Sequence, residues 1–270
     1  MIVDLPAYCA RIRYTGSTRE PTLALLRELQ ICHVSAIAFE CLDPFLGVPV
    51  EIDTASIQQK LVHAHRGGYC HEHNALFHDV LAALGYSVTA LGARVMLTNT
   101  GEPGPEVLTH RLTLVSLPEG QFIADVGFGG QSPTTPISLG SGLEHTTAFG
   151  AYRVTQGDEA FRLEMKLGGD WKPLYRFNLA PQTQADFEVA NWYTSTHPRS
   201  RFTQNLIVCR VVGETRANLL NTTLALRRTD GVVEHHTLDS ANALEDVLSG
   251  TMGLTLPVPI ESIWARLGNA

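Results

Sequence analysis

The sequence has no C-x-x-C pair and only five cysteines, Cys9, Cys32, Cys41, Cys70 and Cys209, an odd and scattered set. That excludes a disulfide framework and suits free thiols in a reducing cytoplasm. No stretch approaches the roughly 18 uninterrupted apolar residues of a membrane span. The opening MIVDLPAYCARIR lacks a basic region followed by an apolar one, so neither a membrane segment nor an export signal is expected. Positive charge is in deficit: 20 Lys and Arg against 27 Asp and Glu leave a net charge of −7. Nucleic acid and anionic membranes require clustered cations, so neither is expected as a partner. Charged residues make up 17 % of the chain, below the roughly 25 % of an average domain, which points to surface hidden between packed parts. The patterns G-x-x-x-x-G-K-[ST], G-x-G-x-x-G and H-E-x-x-H are all missing, which argues against a nucleotide triphosphate site, a dinucleotide site and a helical zinc site.

What the chain does have is 270 residues, 44 % of them apolar, enough for a sizeable core or two to three packed subdomains. Residues 1–85 read as helical. EPTLALLRELQICHVSAI (20–37) has Pro21 at a permitted first-turn position and leucines at 23, 26 and 29 on one side. DTASIQQKLVHAH (53–65) opens on Asp53 as an N-cap, and a third helix over 70–84 gathers Leu76, Phe77, Val80, Leu81 and Leu84 on one face before Gly85. From Tyr86 the period changes to two. YSVTALGARVML (86–97), VLTHRLTLVSL, QFIADVGF, AYRVT, FRLEMKL and WKPLYRF are short β-branched and aromatic runs broken by Gly, Pro and Asp, as in an antiparallel barrel or sandwich. A helix at ADFEVANWYTS, strands at NLIVCRVVG, TTLALRR and VVEHHTL, and two short helices, SANALEDVLSG and PIESIWARLG, complete the reading. There is no internal repeat or long linker, so one compact unit is expected.

The chemistry concentrates in RGGYCHEHN (66–74). Paired glycines, free to take backbone angles other residues avoid, stand before the third helix and place Cys70 in its first turn. Unpaired N–H groups and the positive end of the helix dipole favour a thiolate there. In VLTHRLTLV the alternation puts His110 on a face with Leu112 and Leu114, at a core or cleft boundary. The next strand ends at Asp125, which can accept the His110 Nδ1–H and fix the ring's tautomer. Cys70, His110 and Asp125 would then be nucleophile, base and orienter. The residues also carry plainer readings: Cys70 as a buried sulfur, Asp125 as a turn former, DVGFGG as a plain turn or a ligand-lining loop. A zinc site from Cys70 and His73 is weak, because i,i+2 positions on a helix face different ways, and most of His63, His65, His71, His73 and His78 read as solvated helix-face residues. A thiol hydrolase or transglutaminase-like enzyme, or a non-catalytic metal-binding or scaffold domain, stays open on the residues alone.

Five stretches together resemble the arylamine N-acetyltransferases: AFECLDPFLG, RGGYCHEHN, THRLTLV, ADVGFGG and WYTSTHPRSRF, in family order over residues 8–212. The resemblance implies an α+β fold with a helical bundle (1–85), a central antiparallel β-barrel (86–183) and an interdomain helix with an α/β lid (184–270), the first two arranged as in thiol proteases. It implies a ping-pong reaction in which acetyl-CoA, a co-substrate with no permanently bound cofactor beside it, acetylates Cys70, and an arylamine or arylhydrazine then attacks. It gives Cys70, His110 and Asp125 the triad roles, puts Phe39, Tyr69, Val95, Phe128 and Phe202 near the acceptor, and gives Thr109, Gly127, Gly129 and Gly130 the CoA side. Arg66 would pair with Glu40 beneath the cysteine. No metal is implied; a homodimer is allowed. The chain departs from the family's P-F-E-N-L at Ala38 and at Cys41, which stands for the Asn, and matches least beyond about residue 212.

Overall fold

The computed structural model describes residues 3–96 and 107–268; Leu97, the end of the expected strand 86–97, lies outside them. The architecture is α+β. Local capping chemistry sets the early helices. Thr22 accepts the Leu25 N–H and starts the helix Leu23–Ala36, so Pro21 lies before the cap and not in the first turn as its type suggested. Asp53 accepts the Ala55 and Ser56 N–H groups, a contact typically worth about 1 kcal/mol. The helix it starts, Thr54–Ile57, widens into a π-helical segment, Gln58–His63. The helix Cys70–Ala83 ends before Gly85, which takes a φ of +86°.

Among the described residues, eight antiparallel strands form the larger sheet in the spatial order Ile137–Ser138, Gly120–Ala124, His110–Leu117, Ser87–Val95, Asp170–Pro181, Phe161–Leu167, Gly150–Gln156 and His145–Thr147. It curls into a barrel whose edges meet: Ser138 Oγ lies 2.7 Å from His145 Nε2. Leu91, Leu112, Ile123, Val154, Leu163 and Tyr175 fill the interior. The outer face of His110–Leu117 packs on the helix Cys70–Ala83, so both faces of this strand are buried.

The second sheet has five antiparallel strands in the order Phe39–Glu40, Ile207–Val212, Thr215–Leu220, Thr223–Arg228 and Val233–Thr237. Phe39–Glu40 pairs with Ile207–Val212, and Glu40 also donates its N–H to Gly68 O at 2.7 Å. Residues early in the chain thus tie the loop before Cys70 to a late sheet. Helices Ala241–Glu245 and Ile260–Gly268 cover this sheet, with Leu219, Leu224, Leu244, Leu248 and Ile263 as its core. The helix Gln184–Thr196 starts in a Thr183–Asp186 capping box and reaches back to the early chain through Asn191 Nδ2, which donates to Val50 O at 2.8 Å.

Candidate active site

The loop before Cys70 is fixed by close packing. Neither Gly67 nor Gly68 has a positive φ, so the expectation of unusual backbone angles is wrong. A Cβ on Gly67 would strike the Ala38 carbonyl oxygen, and one on Gly68 would lie 2.6 Å from Glu72 Oε2. Cys70 is the first helical residue, buried, and Glu72 Oε2 accepts the Tyr69 N–H at 3.0 Å. Beneath it Arg66 donates to Glu40 Oε1 at 2.8 Å and to Asp43 Oδ1 at 2.7 Å, while Lys60 lies 2.6 Å from both Asp43 and Glu72. The Glu40 side chain is 0 % exposed and has Arg66 and the Leu42 N–H as its partners. Glu40→Gln is expected to destabilise the protein by about 3 kcal/mol, because a buried cation loses part of its compensation; a urea-unfolding midpoint measures this.

His110 Nε2 lies 2.7 Å from Asp125 Oδ2. The sequence had suggested Nδ1, and the strand register explains the difference. Thr113 faces Ala124, so Asp125, one step further, comes opposite Leu112 and diagonal to His110, where the ring's farther nitrogen reaches it. Nδ1 is left free of Asp125, on a ring whose pKa Cys70 also helps to raise, while the Cys70 Sγ–H donates to Thr109 O at 3.5 Å. Asp125 Oδ1 accepts N–H groups from Asn74 Nδ2 at 2.8 Å and Gly127 at 2.9 Å. Burial alone would make His110 neutral, but the Asp125 charge and the hydrogen bonds to Asp125 and Cys70 outweigh it and push the ring up to about 10. Burial raises Asp125, yet His110, Asn74 and Gly127 together hold it below the usual carboxylate range. Asn74 and Tyr175, whose ring centroid lies 4.9 Å from that of His110, were not singled out from sequence. Asn74 stands one helical turn after Cys70 and Tyr175 faces into the barrel, so both carried a periodicity signal.

Three of the neighbouring histidines depart from the solvated reading, since His71 and His73 are fully buried and His78 is half-buried. His73 Nε2–H donates to Ala38 O at 3.1 Å, which leaves His73 Nδ1 to accept from His33 Nε2 at 2.8 Å and His33 Nδ1 to accept from Tyr8 O–H at 2.9 Å. That one-way chain requires both rings neutral. Burial holds His33 well below its usual value, His73 at about 4 and His71 at about 3. A depressed folded pKa means stability present above about pH 6.5 and lost as pH falls through the folded values; His110, raised, contributes stability lost as pH rises from about 6.5 to about 10. Urea midpoints are therefore expected to peak near neutrality and to fall on both sides, most steeply between pH 6 and about 4.

Cys70 and His110 open into a cavity of about 940 Å³, within the range of ligand sites. Phe39, Val95, Phe128 and Phe202 line it, as do Thr109, Gly127, Gly129 and Gly130. Tyr69 does not: it is fully buried, its hydroxyl donates to Asn191 Oδ1, and its ring supports Phe202 edge-on at 5.6 Å from outside the cavity. A Cβ on Gly127 would lie 2.9 Å from Cys70 Cα, so only glycine lets the aspartate loop close on the helix start. Arg216 holds that loop by donating to Gly130 O and Ser132 O, each at 2.9 Å; its strand gave no clear sequence signal.

A family model described as N-acetyltransferase matches residues 22–260. A Mycolicibacterium smegmatis arylamine N-acetyltransferase is 39 % identical over 95 % of this chain and 94 % of its own. The structure of the Mycobacterium marinum arylamine N-acetyltransferase in complex with CoA superposes with a TM-score of 0.92 at 37 % identity, covering 98 % of this chain and 99 % of that one. The Salmonella typhimurium enzyme superposes with a TM-score of 0.92 at 31 % identity over the full length of both chains.

Proposed function

The chain belongs to the arylamine N-acetyltransferase family, an acetyl-CoA-dependent acyltransferase, and from that premise we infer a ping-pong reaction through an acetyl group carried on Cys70. The observation that carries this reading is one buried imidazole, His110, set between Cys70 and Asp125 at the floor of an apolar-walled cleft. Protonated His110 stabilises a Cys70 thiolate, which attacks the thioester carbonyl of acetyl-CoA. The carbonyl carbon gains a bond to Sγ and loses its bond to the CoA sulfur, and CoA leaves as a thiol with the proton from His110. An uncharged aromatic amine or hydrazine then attacks the acetyl-cysteine; His110 takes the nitrogen's proton as the carbon–Sγ bond breaks. The Gly127 to Gly130 loop, with Thr109, lies on the donor side of this reading, and Phe39, Val95, Phe128 and Phe202 on the acceptor side.

Weakly basic aromatic amines arrive neutral at pH 7, which suits aromatic walls. The partition into 1–85, 86–183 and 184–270 belongs to the same reading, with the nucleophile on the first part and its base and orienter on the second. Five free thiols suit a reducing cytoplasm, and no helix among the described residues is long and apolar enough to cross a membrane. Initial rates over a matrix of acetyl-CoA and aniline concentrations test the mechanism. Parallel double-reciprocal lines, with stoichiometric CoA release before the amine is added, are expected. Intersecting lines, or acetate in place of acetanilide, contradict it.

A further inference from the structure

The cleft carries a charge pattern that acetyl transfer at Cys70 leaves unused. Among the described residues, four arginines, Arg199, Arg201, Arg216 and Arg227, line it, and none of the described lining residues is an aspartate or glutamate. The whole chain has a net charge of −7, so this wall runs against the bulk charge. Arg216 and Arg227 stand directly opposite each other on neighbouring antiparallel strands and project from one face. Like charges so placed repel and destabilise a strand pair unless an anion compensates them. Arg216 bonds to the Gly130 and Ser132 carbonyls and the Tyr152 hydroxyl, none of which neutralises it. Arg228, the next residue along, does pair, at 3.0 Å with Asp230. Among the described residues no carboxylate forms an ion pair with any of the four cleft arginines.

The depth of these groups narrows the ligand. Cys70 is only 4 % exposed, whereas Arg199 and Arg227 are exposed side chains at the mouth. A thiol at the floor and guanidinium groups at the rim match a donor whose thioester and phosphates sit at opposite ends of one long molecule. Resting on the acetyl-CoA reading above, we propose that Arg199 and Arg227 bind phosphate groups of the acyl donor and set the preference for CoA over donors that lack them. Arg216 fixes the wall behind them.

The test uses the full-length double variant R199A/R227A, both positions being exposed. It compares kcat/KM for acetyl-CoA with kcat/KM for p-nitrophenyl acetate, which carries the acetyl group without phosphate. The ratio is expected to fall about tenfold, the salt dependence of KM for acetyl-CoA to flatten, and R199K/R227K to keep most of the ratio. An unchanged ratio, or an equal fall with both donors, overturns the assignment. So does a loss that follows the acceptor instead, with 4-aminobenzoate slowed against its methyl ester while the donor ratio holds. Wild-type protein that uses p-nitrophenyl acetate but not acetyl-CoA would overturn the acetyl-CoA reading itself, before any variant is made.

Discussion

Cys70→Ala is expected to lose acetyl transfer by at least about 10⁴-fold while keeping its fold, because the acetyl group then has no atom on which to be held between donor and acceptor. Cys70 is buried but small, and it starts its helix with backbone groups that alanine keeps. The measurement is kcat with acetyl-CoA and aniline, paired with circular dichroism and a thermal midpoint. Residual activity within tenfold of wild type at an intact midpoint would remove the cysteine from the chemistry. The other cysteines give the contrast. Burial pushes the Cys209 thiol up to about 12 and Cys41 higher still, so neither substitutes as a nucleophile at neutral pH.

Asp125→Asn is expected to cost about 10³- to 10⁴-fold in kcat, a loss of the size known for wrong-tautomer triads. The neighbours dictate the reason. Asp125 Oδ1 accepts N–H groups from both Asn74 and Gly127, so an asparagine must keep its oxygen there. Its NH₂ then points at His110 Nε2, which can no longer donate. The ring becomes neutral, with its proton on Nδ1, where it cannot take a second one. Burial, no longer opposed by a carboxylate charge, reinforces that state, since burial is the largest influence lowering His110. Steady-state rates from pH 6 to 9 check the outcome. Near-normal turnover across that range would separate Asp125 from the reaction.

What could be read from the sequence was local. Asp53 as a cap, Gly85 as a stop and Cys70 in a first turn follow from a few adjacent residues, and the structure has them there. So does the alternation that sends His110, Leu112 and Leu114 into the barrel. What could not be read depends on partners far along the chain. Phe39–Glu40 is a strand only because Ile207–Val212 lies beside it, and His73 can be buried because His33 and the Ala38 carbonyl satisfy its two ring nitrogens. The choice between Nδ1 and Nε2 of His110 follows from the register of two strands, which no single segment encodes. Tyr69 sits next to the cysteine in sequence, yet its ring turns away because Asn191, on a helix from the far half of the chain, takes its hydroxyl. The family resemblance implied roles for His110 and Asp125 where local patterns alone left both open.

The most direct test of the whole account is to incubate the protein with acetyl-CoA in the absence of any amine, quench, and map the peptides by mass spectrometry. One acetyl group on the peptide containing Cys70, removed again when aniline is added, is the predicted result. An unmodified Cys70 in protein that still acetylates aniline would contradict it.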